Sequence, residues 1–322
     1  MPNWNEILTE IVSVRNGLVA EGQGKMTQAQ ASVDIVRRKY LTKLFDYTGR
    51  NIIAYYSGFL SKPGIAQLEI TDEDKNGFMM AIHMLDRRQG LDLILHTPGG
   101  GFAATQSIVN YLHKMFKCDI RAIVPQIAMS AGTMIACSCK TILMTEHSNL
   151  GPIDPQLRGL PAYGVIEEFK KAYKEIKADP SKLGLWSNII GQYKPTFLSQ
   201  CANAIDWSNK FVRGQLETVM FKGEPKARIK ARTITKKLSD YRGNLGHERH
   251  IHLEECKKIG LKVKRIEDDN KLQDLILTVH HCYMHSLMNT ASFKIIENHN
   301  GVAFCKQQLI QPIPIATQPP KP

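Results

Sequence analysis

Hydrophobic and polar positions divide the chain into an alternating region and a mainly helical region. Between residues 49 and 144, short apolar runs alternate with segments whose apolar residues recur at helical spacing. The runs predict short strands at 51–56, 91–96, 120–124 and 141–144. Strands separated by helices favour right-handed crossovers, and the pattern therefore predicts a mainly parallel sheet.

Helical periodicity also precedes and follows this region. Two helices are predicted at 3–22 and 28–47, separated by a break at Gly22–Gly24, and a helix capped by Thr71 and Asp72 follows the first strand. The remaining predicted helices cover 105–116, 130–137, 161–177, 196–220, 225–238 and 272–290. Residues 293–296 and 302–305 are predicted to pair as a terminal hairpin.

The charge of the chain is basic, with 42 Lys and Arg residues against 30 Asp and Glu residues, a formal net charge of +12. Much of the excess lies in the segment 222–237. An anionic partner that binds this segment and a merely solvated basic face are both compatible with the pattern. The segment has no interleaved aromatic residues, so stacking on single-stranded nucleic acid is not indicated.

Cysteine usage and the N-terminus bear on the cellular compartment. The seven cysteines are odd in number and form no CxxC pair, which is typical of reduced thiols in the cytosol. The N-terminus has no apolar signal-peptide core. The uncharged stretch 122–139 contains proline, glycine and polar residues, and a buried strand-turn-helix explains it better than a membrane span. We expect a cytoplasmic protein with no transmembrane segment.

Two groups of histidines are candidate metal ligands. One group is His247, His250 and His252, and the other is the pair His281 and His285 at helical spacing. The chain contains no HExxH motif, and it contains no dinucleotide-binding or P-loop glycine motif either. Packed or polar histidines are therefore the preferred interpretation, and we expect neither a metal nor a cofactor.

Two segments carry the candidate chemistry. A buried strand leads into Thr97–Gly101 (TPGGG), where consecutive glycines let backbone N–H groups approach an anion closely. The next strand leads into residues 128–133 (AMSAGT), where Ser130 stands at a predicted strand-to-helix turn and the helix dipole favours a developing negative charge. From the residues alone, a tight turn for the glycines and a helix N-cap for Ser130 remain open.

Taken together with three further segments, these motifs resemble the Clp-fold serine peptidases. The further segments are His147–Gln156 (HSNLGPIDPQ), Leu238–Gly243 (LSDYRG) and Ile296–Gly301 (IENHNG). Within the group, the chain is most similar to the serine dehydrogenase proteinase family, a relative of signal peptide peptidase A and of the Clp protease proteolytic subunit. The likeness extends over most of residues 1–306.

The resemblance implies an α/β Clp/crotonase fold of stacked ββα units, with N-terminal helices and a helical C-terminal region. It implies a serine endopeptidase that acts on peptides or proteins without ATP. Ser130 would be the nucleophile, and the oxyanion hole would use Gly99, Gly100 and Ala131. The implied division of the chain is a helical extension (1–48), a catalytic domain (49–306) and a disordered proline-rich tail (307–322).

The resemblance does not identify the general base. Lys194 ends a stretch, GQYK, that is similar to the one preceding the catalytic lysine of signal peptide peptidase A, and it is the preferred candidate. His147 is the second candidate because histidine is a natural base near neutral pH. Asp154 is expected either to orient a base or to stabilise its loop.

Two other function classes remain open on the same fold. One is a crotonase-like enzyme that acts on acyl thioesters, and the other is a non-catalytic assembly or binding module. Proteins of this fold generally form rings, so the resemblance implies a homo-oligomer, a trimer or larger. The apolar faces of the helices at 3–22, 28–47 and 272–290 are expected to be free to pack on a neighbouring subunit.

Overall fold

The computed structural model describes residues 4–20 and 25–308. The α-helices in this part of the chain are α1 Trp4–Ala20, α2 Lys25–Thr48, α3 Asp74–Ile82, α4 Phe102–Phe116, α5 Ala131–Cys137, α6 Ala162–Ala178, α7 Leu183–Ile190, α8 Phe197–Gln215, α9 Ala227–Leu238, α10 Tyr241–Asn244, α11 Leu253–Ile259 and α12 Asn270–Asn289. The strands are β1 Asn51–Ser57, β2 Leu91–His96, β3 Ile120–Val124, β4 Ile127–Ala128, β5 Thr141–Met144, β6 Asn149–Leu150, β7 Gln156–Leu157, β8 Leu160–Pro161, β9 Ile251–His252, β10 Val263–Arg265, β11 Ser292–Asn298 and β12 Ala303–Gln307. The predicted break at 22–24 and residues 309–322 of the predicted tail lie outside the described residues.

A seven-stranded sheet organises the fold, in the order β10-β5-β3-β2-β1-β11-β12. The first five strands run parallel, and the C-terminal hairpin β11–β12 adds two antiparallel strands beside β1. The predicted mixed α/β architecture with a mainly parallel sheet and the terminal hairpin are therefore confirmed. Two smaller sheets, β4-β6-β9 and β7-β8, lie outside it.

Both faces of the large sheet are buried, as the crossover helices of a parallel sheet require. Successive residues of β1 alternate between the two faces: Ile53 and Tyr55 belong to one core with α3 and α4, whereas Ile52 and Tyr56 belong to another with α2 and α12. The candidate motifs at the ends of β2 and β4 border the first of these cores.

The expectation of free apolar faces on the N-terminal and C-terminal helices is wrong. α1 and α2 pack against α12, and the apolar side chains of this contact form a small core of their own: Ile7, Ile11, Val33, Val36 and Cys282. The apolar stripe of α12 is buried on the large sheet, where Val279, Tyr283 and Leu287 belong to the core that α12 shares with α2. Most of the apolar area of these faces is therefore buried within the chain itself, although Leu8 and Val12 of α1 stay partly exposed.

One local prediction also differs from the structure, and three short strands were not predicted. α3 begins at Asp74 with Glu73 at the N-cap position, and the Thr71 hydroxyl has no hydrogen-bond partner among the described residues, so Thr71 and Asp72 do not cap the helix. β4, β6 and β9 contain two residues each, too few for periodicity to reveal them. None of the described helices is both long and apolar enough to cross a lipid bilayer.

His96, the last residue of β2, is held in an aromatic cage. The rings of Tyr56, Phe59 and His280 lie with centroids 5.4, 5.0 and 5.5 Å from its own. Neither of its ring nitrogens has a hydrogen-bond partner within the described part of the chain. Burial lowers the pKa of His96 to about 3, and burial together with the charge of His96 lowers the pKa of His280.

We predict that acid weakens the fold through these histidines. The folded state keeps His96 neutral, whereas the unfolded chain takes up a proton near pH 6.5. The free energy of unfolding therefore has its highest value above that pH and decreases as the pH drops towards 3. The expected loss is about 1.4 kcal/mol per pH unit for each such histidine. Urea unfolding at pH 7.5, 6.0 and 5.0 measures the slope. His96→Phe keeps an aromatic ring in the cage and should flatten it; an unchanged slope in this variant would contradict the assignment.

Candidate active site

Ser130 lies in a tight turn between β4 and α5, with φ 49° and ψ −111°. The N–H of Gly132 donates to the carbonyl of Met129 at 2.7 Å and closes the turn. These angles belong to the first central position of a type II′ turn, which glycine normally occupies because a side chain there is strained. The Ser130 side chain forms no capping hydrogen bond with α5, so helix capping does not account for this serine.

The glycine loop, defined as Gly99–Gly101, packs against this turn, and Gly99 and Gly100 have no room for a side chain. A Cβ atom on Gly99 would lie 2.8 Å from the Cβ of Ser130, and one on Gly100 would lie 2.2 Å from the backbone nitrogen of Ile70. The N–H of Ile70 donates to the Gly99 carbonyl at 2.7 Å, and the N–H of Gly101 donates to the Ile70 carbonyl at 2.9 Å. The glycines therefore permit three backbone segments to meet.

This packing determines the direction of a backbone donor. In a trans peptide the C=O and the following N–H point in opposite directions. Because the Gly99 carbonyl points to Ile70, the Gly100 N–H points away from Ile70, and Gly100 lines the cavity that contains Ser130. Ala131 is the first residue of α5, so its N–H has no acceptor within the helix. Two of the three predicted oxyanion residues, Gly100 and Ala131, thus have N–H groups beside Ser130, whereas the N–H of Gly99 donates to the threonine hydroxyl two residues earlier at 3.2 Å.

The cavity at Ser130 has a volume of about 580 Å³ and a largely apolar wall. Phe102, Met134, Leu157 and Trp207 contribute to this wall. The ring of Phe102 meets the rings of Trp207 and Phe211 edge to face, with centroids 4.4 and 5.5 Å away. A cavity of this size and composition can hold an apolar side chain next to the serine hydroxyl.

The cavity also contains a histidine that sequence reasoning did not assign to the site. His247 lines it, and the Nδ1 atom of His247 lies 2.9 Å from a carboxylate oxygen of Asp154. Asp154 is only 2% exposed, and its other oxygen accepts a hydrogen bond from the Gln156 amide at 2.9 Å. A buried carboxylate that holds a cavity-lining imidazole is the arrangement of a histidine base and its orienting residue.

The small sheet β4-β6-β9 explains why these residues meet. β4 and β6 are parallel, so the chain leaves both at the same edge, towards Ser130 and Asp154 respectively. β9 is antiparallel to β6, so the segment that precedes it, with His247, lies at that same edge. The motif HSNLGPIDPQ and the histidine-rich segment at 247–252 pointed to these residues, but the sequence carries no signal that pairs them.

The two bases preferred from the sequence lie elsewhere. Lys194 is exposed in the connection between α7 and α8, and His147 is exposed in the connection between β5 and β6. Neither residue lines the cavity at Ser130. Their assignment as the base stays a prediction without support from this placement.

The histidines weighed as metal ligands have other contacts. His281 and His285 both lie against the ring of Trp4, with centroids 5.6 and 4.0 Å away. Among residues 4–20 and 25–308, no group of three or more His, Cys, Asp or Glu side chains is arranged to hold a metal ion.

Comparison with known proteins gives one family match and two relatives. The model of the ClpP-like SDH-type serine proteinases matches residues 28–296. Two uncharacterized proteins of Methanocaldococcus jannaschii, MJ0137 and MJ1495, are 34% identical over 194 residues and 28% identical over 196 residues. The matched region covers 60% of this chain in both comparisons, and it spans 60% and 59% of the relatives' own lengths.

The strained turn predicts an unusual order of stabilities at position 130. Because Ser130 has a positive φ and glycine tolerates this conformation, Ser130→Gly should be more stable than Ser130→Ala, by about 1 kcal/mol. Urea unfolding of the two variants measures the difference. At Ser138, where φ is −89°, the same pair of substitutions should show no such preference for glycine. Equal behaviour at the two positions would contradict the strain.

Proposed function

Because the chain belongs to the family of ClpP-like SDH-type serine proteinases, we propose that it is a serine endopeptidase whose nucleophile is Ser130 and whose base is His247. The observation that carries the proposal is the cavity shared by Ser130 and His247, with Asp154 hydrogen-bonded behind the imidazole. The finer arrangement that we propose for the fold is the stack of ββα units expected of a Clp/crotonase protein.

The chemistry follows from these positions. The Ser130 Oγ attacks the peptide carbonyl, and its proton passes to Nε2 of His247, the nitrogen left free when Nδ1 donates to Asp154. The imidazolium then gives the proton to the leaving amine. The N–H groups of Gly100 and Ala131 stabilise the oxyanion in a site whose apolar wall limits competition from water. Asp154 keeps the imidazole in the required tautomer.

His247 is preferred to Lys194 and His147 because it alone of the three lines the cavity. A lysine serves as a base only when its surroundings favour the neutral amine, and an exposed connection does not supply such surroundings. For Lys194 to act, the connection between α7 and α8 would have to move over Ser130. The placement of these three residues therefore supports a triad rather than a Ser-Lys dyad.

We further propose that the activity is cytoplasmic and needs neither a cofactor nor ATP, since the chain has no nucleotide-binding motif of its own. An anionic partner would meet α9 and its flanks, where Arg228, Arg232 and Lys236 are exposed. No specific contact favours a crotonase-like reaction or a purely structural role. Dependence of hydrolysis on the Ser130 hydroxyl distinguishes the peptidase from both.

The triad makes a prediction that separates the three candidate bases. Ser130→Ala should abolish both casein hydrolysis and labelling by a fluorophosphonate. His247→Ala should lower turnover by roughly the 10²–10⁴-fold of a lost general base, whereas Lys194→Ala and His147→Ala should stay close to the wild type. Initial rates with fluorescently labelled casein give the comparison.

Thermal unfolding of each variant serves as the control for intact folding. An inactive Lys194→Ala beside an active His247→Ala would show that Lys194, and not the histidine, is the base. Undiminished labelling of Ser130→Ala would remove the nucleophile itself.

We propose a homo-oligomer, a trimer or larger, that uses a face not expected from the sequence. Since α1, α2 and α12 pack mainly on one another and on the sheet, we propose that the more exposed large apolar side chains of α6 and α7 supply the contact: Tyr173 (71% exposed), Leu183 (55%) and Leu185 (63%). Light scattering should give a multiple of 36.3 kDa. Leu185→Glu should lower this mass, while Lys114→Glu, a likewise exposed position on α4 away from this face, should not. A monomeric wild-type chain would rule out the assembly.

A further inference from the structure

A fully buried ion pair lies next to the glycine loop. The ammonium group of Lys294, on β11, is 3.0 Å from both carboxylate oxygens of Asp74, the first residue of α3, and both side chains are 0% exposed. Asp74 also accepts hydrogen bonds from the Tyr55 hydroxyl at 2.8 Å and from the Thr71 N–H at 3.0 Å. Lys294 also donates a hydrogen bond of 2.6 Å to the carbonyl of Glu69, and its ammonium group lies 5.8 Å from the centroid of the Tyr55 ring.

The cost of such a pair calls for a role other than stability. Removing two charges from water is expensive, and an apolar replacement of similar volume often stabilises a protein as well or better. What the pair does here is hold backbone: Lys294 holds the carbonyl of Glu69, and Asp74 holds the N–H of Thr71. Both ends of the segment Glu69–Thr71 are therefore attached to the ion pair, and Ile70 lies between them.

Ile70 is the residue that orients the oxyanion donor. Its N–H binds the Gly99 carbonyl, its carbonyl binds the Gly101 N–H, and the resulting bridge is its single strand-like pairing among the described residues. If Ile70 moved, the peptide between Gly99 and Gly100 would lose the contact that turns the Gly100 N–H towards Ser130. No regular sheet replaces this contact, because residues 58–69 contain no strand.

We propose that the Lys294–Asp74 pair positions the glycine loop for catalysis, an inference that rests on the function proposed for Ser130. Lys294 and Asp74 touch no substrate. They hold the segment Glu69–Thr71, which in turn holds the Gly100 N–H in the direction that receives the oxyanion. Their loss should therefore reduce stabilisation of the transition state and leave binding of the substrate nearly unchanged.

The same strand supplies a matched control. Glu297 lies on the opposite face of β11 and forms an equally buried pair with Arg37 of α2, supported by the Tyr283 hydroxyl at 3.0 Å. This second pair contacts helices on the other side of the sheet and does not touch the segment Glu69–Thr71. A general loss of stability should follow from breaking either pair, whereas a loss of oxyanion geometry should follow only from breaking the first.

The test compares Lys294→Met with Arg37→Met, using hydrolysis of p-nitrophenyl butyrate. We expect Lys294→Met to lower kcat by about ten- to hundredfold, less than the loss of a whole oxyanion donor, with KM within about threefold of the wild type. Arg37→Met should keep the wild-type kcat at temperatures where it is folded. A wild-type kcat in Lys294→Met, or an equal fall in both variants, would overturn the positioning role.

Two milder substitutions provide the same test if Lys294→Met does not fold. Tyr55→Phe and Tyr283→Phe each remove one buried hydroxyl donor to an ion-paired carboxylate, Asp74 in the first and Glu297 in the second. We expect about a threefold fall in kcat for Tyr55→Phe and no change for Tyr283→Phe, in line with the loss of one hydrogen bond. Equal kcat values for the two would overturn the proposal.

Amide hydrogen exchange tests the attachment of the glycine loop to Ile70 without a measurement of activity. Peptides that cover residues 97–102 should exchange faster in Lys294→Met, or in Tyr55→Phe, than in the matched variant, because the Gly101 N–H is held by Ile70. Exchange that is equal in these variants and in the matched ones would overturn the positioning role. Failure of the proposed function has a different signature, namely hydrolysis that persists in Ser130→Ala while the exchange difference remains.

Discussion

The site depends on one backbone constraint, the tight turn from Met129 to Gly132 that forces Ser130 into a positive φ. The turn is held by the end of the large sheet, because the N–H of Met129 donates to the Thr97 carbonyl and the N–H of Thr97 donates to the Ile127 carbonyl. The same residue, Thr97, stands two positions before the glycine loop, and its hydroxyl accepts a hydrogen bond from the Gly99 N–H at 3.2 Å. The strained serine and the oxyanion donors therefore belong to a single hydrogen-bonded unit, and neither can shift without the other.

β11 gives this unit a rigid support. All seven of its residues are buried, and it carries a charged side chain on each face: Lys294 faces Asp74 and the glycine loop, and Glu297 faces Arg37 and the N-terminal helices. Each charge is neutralised by a partner and by further hydrogen bonds, which is the condition under which buried ions are tolerated. The two ends of the chain thus meet on one strand, and the N-terminal helices contribute to the core of the sheet.

For the catalytic base, the resemblance to a related peptidase and the geometry of the site favour different residues. A GQYK stretch drew attention to Lys194 because a related peptidase has its lysine in a similar stretch, but the local sequence contains no information about what lies opposite Ser130. That information resides in three strands of two residues each, β4, β6 and β9. Their relative directions bring Asp154 and His247 to the edge at which Ser130 stands, and the buried carboxylate and the cavity-lining imidazole together support a triad.

The sequence by itself determined the parallel core of the fold, because the strands at 91–96, 120–124 and 141–144 are short, mainly apolar segments that can be recognised from local sequence. The residues alone left a tight turn for the glycines and a helix N-cap for Ser130 open, and it was the family resemblance that predicted the two motifs as parts of one site. Only the tertiary structure decided that α1, α2 and α12 pack on one another, that Asp74 forms a buried ion pair with Lys294, and that His247 shares a cavity with Ser130. The physical reason is the same in each case: these contacts join residues far apart in the chain, and their energy depends on burial and direction that no local pattern encodes.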